Sequence, residues 1–244
     1  MSKLILGTVQ FGQEYGIKQD GKPSEAEIER IAQIAKGAGI RTIFTAPAYK
    51  CDDIVAKYFS DFEVIEKIGN TQEFKYGERY GLSVYDIQEL MPMASHHNIL
   101  NVPVNIFDNR FLFLTEFRKR YGLEVHARSV FLQGLLLMEN PPIAKGFVAE
   151  FHRACGVSKV TPIQAALGYV LGIQGIEKVV IGVNSAEQLS ELIKVTPLYW
   201  NYDFHLHDER ILDPRQWKPS IEEEPEDQKI FKRRGRPLKT KEQE

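Results

Sequence analysis

Cysteine is scarce: the 244 residues hold two, Cys51 and Cys155, far apart and outside any metal-ligand spacing. That argues against a disulfide scaffold and against a zinc cluster, so no metal is expected, and it fits a reducing, cytoplasmic setting. Long apolar runs are missing too. No stretch approaches the roughly 18 residues that a membrane helix needs, and the opening MSKLILGTVQFG has no basic region followed by an apolar core. No membrane association is expected. Neither sign of charge dominates, since 31 Lys and Arg face 33 Asp and Glu for a net charge of −2. No glycine-rich phosphate loop and no Gly-x-Gly-x-x-Gly follows an apolar run, which disfavours a P-loop or Rossmann protein.

What the chain does contain is alternation. Short β-branched runs at Lys3–Val9, Ile40–Ala46, Phe62–Ile68, Tyr80–Tyr85, Ile99–Asn105, Val125–Phe131 and Lys178–Val183 read as strands. Helices with legible ends lie between them. Ser24 with Glu27 reads as a capping box ahead of Ile28, Ile31, Ala32, Ala35 and Ala38, with Gly39 as the stop. Thr161-Pro162 with Gln164, and Ser185 with Gln188, start two more. Strands alternating with helices predict a parallel sheet covered by helices, and the missing phosphate loops favour a closed barrel over an open sheet. Residues 1–218 are expected to form this barrel as one domain. Residues 219–244 carry seven acidic and seven basic side chains as an acidic block followed by a basic one, and read as a solvated, disordered tail.

Seven segments, in this order, carry a family resemblance: LILGTVQFG, GIRTIFTAPAY, EVIEKIG, YGLSVYD, LNVPVNIFDNRF, ARSVFLQGLLL and VVIGVNSAEQL, with ILDPRQW closing the body. Together they resemble the aldo/keto reductases. The resemblance implies a (β/α)8-type TIM barrel, an NADP(H) or NAD(H) cofactor, and carbonyl reduction by hydride transfer. Eight strands are expected of such a barrel, yet seven are recognisable here. Only eleven residues, Gly69–Arg79, stand where the family has a helix, the fourth strand and another helix. An incomplete barrel would expose an unpaired strand edge, so an element covering that edge is expected, a second copy of the chain being one candidate.

The resemblance also assigns roles. Tyr49 stands at the position of the catalytic acid, and Lys67 at that of the lysine which stabilises its phenolate. The carboxylate that holds this lysine is replaced by Phe44, and the strand that would bring the catalytic histidine is missing. His96 and His97, the nearest histidines, fall at a helix end. A tyrosine with a pKa of about 10 needs help to act as an acid at neutral pH. Lys67 without its carboxylate should lose charge in an apolar neighbourhood and help less. On the cofactor side, Ser83 and Asn101 match the positions that hold the nicotinamide carboxamide, although Val84 stands for an expected Asn and Asn101 is shorter than the expected Gln. Arg128 stands where an aromatic would stack on nicotinamide, with Ser129 next to it and Phe131 as the alternative ring. Gly182, Asn184, Ser185 and Gln188 form the motif that receives the dinucleotide phosphate at a helix N-terminus. The first basic residue of that helix is Lys194, three turns on, which leaves NADP preference without its usual cation.

Two functional readings follow: a reductase-like barrel with a degenerate site and retained dinucleotide binding, or a working NAD(P)H-dependent carbonyl oxidoreductase using Tyr49 and Lys67. A third concerns the tail. Arg234-Gly235-Arg236-Pro237, within residues 232–239, is similar to the core of an AT-hook, which lies in an A·T-rich minor groove. The acidic block before it would repel DNA, so a solvated tail is the stronger expectation.

Overall fold

Seven parallel strands pair in chain order and close on themselves. The computed structural model describes residues 2–18, 21–68, 79–86, 99–200 and 202–217. The strands are β1 (Leu4–Gly7), β2 (Thr42–Thr45), β3 (Glu63–Ile68), β4 (Arg79–Ser83), β5 (Ile99–Pro103), β6 (Glu124–Arg128) and β7 (Lys178–Ile181), and β7 pairs back onto β1. Each falls within, or one residue beyond, a run anticipated from sequence. The helices, among the described residues, are α1 (Val9–Gly12), α2 (Glu25–Gly37), α3 (Asp52–Tyr58), α4 (Leu114–Tyr121), α5 (Lys145–Ser158), α6 (Pro162–Gly172), α7 (Ala186–Leu192) and α8 (Glu209–Leu212).

Every residue of β1, β2 and β5 is buried, as a sheet covered on both faces requires. The two faces carry different jobs. Leu4, Leu6, Ile43, Leu82, Leu100, Val125 and Val179 point into an outer core shared with Ile28, Ile31, Ala32 and Ala35 of α2 and Leu189 of α7. Alternate positions of the strands point inward. There Ile5, Phe44, Ile65 and Ile99, with Val180 against them, form a separate apolar plug. Continuing the same period of two toward the strand ends gives Gly7, Lys67, Ser83, Asn101, Arg128 and Gly182. One layer is apolar and the next is polar.

The expected gap is absent. β3 pairs directly with β4, Lys67 opposite Gly81 and Ile68 opposite Leu82. The barrel therefore closes with seven strands, and the unpaired edge that suggested a covering second copy does not exist. Fewer strands make a narrower barrel. Gly81 fits that narrowing: a Cβ there would lie 3.1 Å from the Phe44 ring and 3.3 Å from Ile65. Phe44 thus fills the interior, and Gly81 leaves it room.

The helix caps agree in part with the sequence reading. Thr161 and Gln164 make a complete capping box on α6. Ser24 accepts from the Glu27 N–H, but the Glu27 carboxylate turns elsewhere. A second core joins Phe107, Phe147, Phe151 and Phe204 with Leu132, Leu135 and Leu212. Trp200 belongs to it, donating to Ser158 Oγ at 2.9 Å and packing on Phe151. The segment around Trp200 and Tyr202 therefore packs beside the barrel. The tail, with residues 232–239, and His96 and His97 lie outside the described residues. Among the described residues no helix is long and apolar enough to cross a membrane.

Candidate active site

The polar layer opens into a cavity of about 660 Å³. Its walls come from the C-terminal ends of the strands and the loops that follow them, where barrel enzymes place their chemistry. Tyr49, Lys67, Ser83, Ser129, Gly182, Asn184 and Gln188 all line it, together with Phe44 and Arg128. Asn101 and Ser185 do not. Asn101 is fully buried, and neither side-chain polar atom has a partner among the described residues.

Tyr49 ends a short 3-10 turn, Pro47–Tyr49, held against α1. Contact there is so close that a Cβ on Gly12 would overlap the Tyr49 carbonyl oxygen. Burial pushes the Tyr49 hydroxyl well above its ordinary pKa and the neighbouring Tyr15 adds to this, while the Arg128 guanidinium offsets part of it. Burial also lowers Lys67, with Arg128 and then Arg215 repelling its charge. No carboxylate pairs with Lys67 among the described residues. An acid that is hard to ionise, in one cavity with an ammonium that is hard to keep charged, is the opposite of an activated pair.

Arg128 is the organising group. It is 9% exposed, and donates from Nη2 to the Val84 carbonyl oxygen at 2.7 Å and from Nη1 to Ser129 Oγ at 3.1 Å. Its guanidinium carbon lies 3.8 Å from the Tyr85 ring centre, and that of Arg215 lies 3.9 Å from the same centre. Two groups this close to one ring centre would overlap on a single face, so they hold the ring between them. Asp213 pairs with Arg215 at 2.7 Å and accepts its backbone N–H. Tyr85, Arg215 and Tyr15 were not assigned roles from the sequence. The usable signals were Tyr85 two residues beyond Ser83 on one strand face, and the Asp-Pro-Arg turn inside ILDPRQW.

Beyond β6 the chain is strained. Ser129, Leu132 and Gln133 have φ of 57°, 47° and 54°, a region costly for residues with a Cβ. Ser129 and Gln133 line the cavity.

At α7 three of the donors are already taken. Ser185 Oγ accepts from the Gln188 N–H at 3.2 Å, Gln188 Oε1 accepts from the Asn184 N–H at 2.7 Å, and Glu27 Oε1 accepts from the Ala186 N–H at 2.5 Å. Arg30 binds both Glu27 and Glu187. Three of the N–H groups around this helix start are thus satisfied within the chain, with two carboxylates nearby. Four polar atoms of residues in the cavity wall remain buried and unpartnered among the described residues: Gln10 Oε1, Ser83 Oγ, Asn184 Oδ1 and Arg128 Nε. No group of three potential metal ligands occurs among the described residues.

No protein-family model and no curated protein sequence matches the chain. Solved structures do. An aldo-keto reductase from Bacillus halodurans in its holo form superposes with a TM-score of 0.58 at 16% identity, over 81% of this chain and 88% of that one. Glycerol dehydrogenase from Gluconobacter oxydans superposes with a TM-score of 0.60 at 15% identity, over 91% and 96%. Parallel strands closing in chain order, a polar layer at their C-terminal ends and these superpositions agree: the chain has the aldo-keto reductase fold, shortened to seven strands.

Proposed function

We propose that the protein is a reductase-like barrel that receives the nicotinamide end of NADH or NADPH and whose proton-donating pair is weakened. The observation that carries this reading is Phe44, which fills the barrel interior where a carboxylate would have to stand to hold Lys67. The residues fit a carboxamide: Ser83 Oγ, Asn184 Oδ1 and Gln10 Oε1 are buried acceptors without partners among the described residues, and Ser83 also has a proton to give. When bound, the nicotinamide supplies a hydride. Tyr49 would hold the carbonyl oxygen and carry the proton, and Lys67 and Arg128 would steady the charge that develops there. The three donors already taken at the start of α7, and the carboxylates of Glu27 and Glu187 beside them, support weak binding of the phosphates and no preference for NADP. The two free, buried cysteines support a cytoplasmic setting.

A working oxidoreductase is the second reading, favoured by Tyr49 and Lys67 lining one cavity. Titration with NADH and NADPH, followed by nicotinamide fluorescence, tests the first reading; no binding at millimolar cofactor would overturn it. Turnover of simple aldehydes separates the two. The first predicts a trace rate that Tyr49→Phe barely changes, the second a rate that Tyr49→Phe abolishes.

A further inference from the structure

Inside the cavity the charges are lopsided. Lys67, Arg128 and Arg215 line it at the strand ends, and the carboxylate among its lining residues, Glu191, belongs to α7. Asp213 balances Arg215, which leaves the positive charges of Lys67 and Arg128 in the same cavity wall. Arg128 is held rigidly by Val84, Ser129 and the Tyr85 ring, so little side-chain freedom would be lost on binding. Its Nε is buried with no partner among the described residues, a charged N–H that costs stability while unmet. A protein that only needed to fill its barrel would gain nothing from this arrangement.

We infer that Lys67, Arg128 and Arg215 form a subsite for an anionic oxygen group, a carboxylate or a phosphate, on the small molecule that enters the cavity. The inference rests on the cavity being the ligand site proposed above, and narrows its substrate class to carbonyl compounds that carry such a group. Lys67 gains a second role. With Phe44 beneath it in place of a carboxylate, its ammonium is available to a ligand. Arg128 offers a planar guanidinium suited to two oxygens. Tyr85 keeps the two guanidinium groups apart yet within reach of one cavity, and screens their mutual repulsion with its ring faces.

Calorimetry on the full-length protein at low ionic strength tests this with 2-oxobutyrate, its uncharged counterpart 2-butanone, and inorganic phosphate. The expected result is that 2-oxobutyrate or phosphate binds at least tenfold more tightly than 2-butanone, with affinity falling as salt is added. Whichever anion binds more tightly identifies the group as carboxylate or phosphate. Lys67→Met and Arg215→Gln should each weaken the anion at least fivefold, and Arg215→Gln should leave 2-butanone unaffected. Arg128→Gln removes a buried group and risks the fold, so the half-exposed Arg215 carries the test. Equal binding of 2-oxobutyrate, phosphate and 2-butanone would overturn the subsite, and so would anion binding that neither variant weakens. Parallel titration with NADH separates the two ideas. NADH binding without anion selectivity removes the subsite and leaves the proposed function, whereas anion binding without NADH removes the dinucleotide and leaves the subsite.

Discussion

Glu27, on the first turn of α2, accepts a 2.5 Å hydrogen bond from the backbone N–H of Ala186, the first residue of α7. One helix thus caps another across 159 positions of sequence. The contact satisfies a donor that sequence alone leaves open to a ligand, and it places a negative charge where a phosphate would need to come.

Glu27→Ala should therefore act in two directions. The lost charge-assisted bond lowers stability by about 1–2 kcal/mol, visible as a lower urea midpoint. Dinucleotide affinity should hold or rise in the same variant, because a donor is released and a carboxylate removed. A tenfold loss of NADH binding without any fall in the midpoint would contradict both parts.

Phe44→Asp tests the interior from the other side. Phe44 is 4% exposed and packs with Ile5, Ile65 and Ile99. Removing its ring costs about 3–5 kcal/mol, and the buried carboxylate offsets part of this only by pairing with Lys67. The expected outcome is a protein melting well below the parent, in which Lys67 resists reductive methylation at neutral pH more than before. Aldehyde turnover should increase if the lost carboxylate is what limits the acid. A stable variant with unchanged turnover would show that narrowing the barrel limits it instead.

Gly12→Ala probes how Tyr49 is placed. The added Cβ would overlap the Tyr49 carbonyl oxygen, a backbone atom that cannot swing away. The turn carrying Tyr49 must shift or α1 must lift. Loss of about 2 kcal/mol or more is expected, with altered quenching of cavity-bound nicotinamide. Gly37→Ala gives the control, since nothing lies near its Cβ and a helical position favours alanine by up to about 1 kcal/mol.

The thiols should be silent. Cys51 and Cys155 are each 2% exposed, and burial pushes the Cys155 thiol up to about 12. Reaction with a disulfide reagent at neutral pH should show no fast phase, and denaturant should release two thiols per chain. A fast phase before unfolding would place one of them at the surface.

Much of the fold was legible because alternation is a local property. Strands such as Leu4–Gly7 and Ile99–Pro103 announce themselves as apolar runs between turn residues, and Thr161 with Gln164 marks a helix start through four residues alone. The site residues Tyr49, Lys67, Ser83, Ser129 and Asn184 were named through the resemblance to the aldo/keto reductases, and the structure gathers them around one cavity. The period of two gave the sidedness. Asn101 shows the limit: it faces the interior, yet is fully buried and does not line the cavity.

What the sequence by itself determined is therefore the kind of barrel and the order of its strands. Closure was decided only in three dimensions, because the pairing of Lys67 with Gly81 depends on how far two strands can approach, and Phe44 and Gly81 set that distance together. The same holds for charge. Arg128 and Arg215 are 87 positions apart in sequence, and nothing local says that they meet on one Tyr85 ring. Covalent neighbours fix local conformation, whereas electrostatic neighbours are set by packing, and the chemistry of this cavity belongs to the second kind.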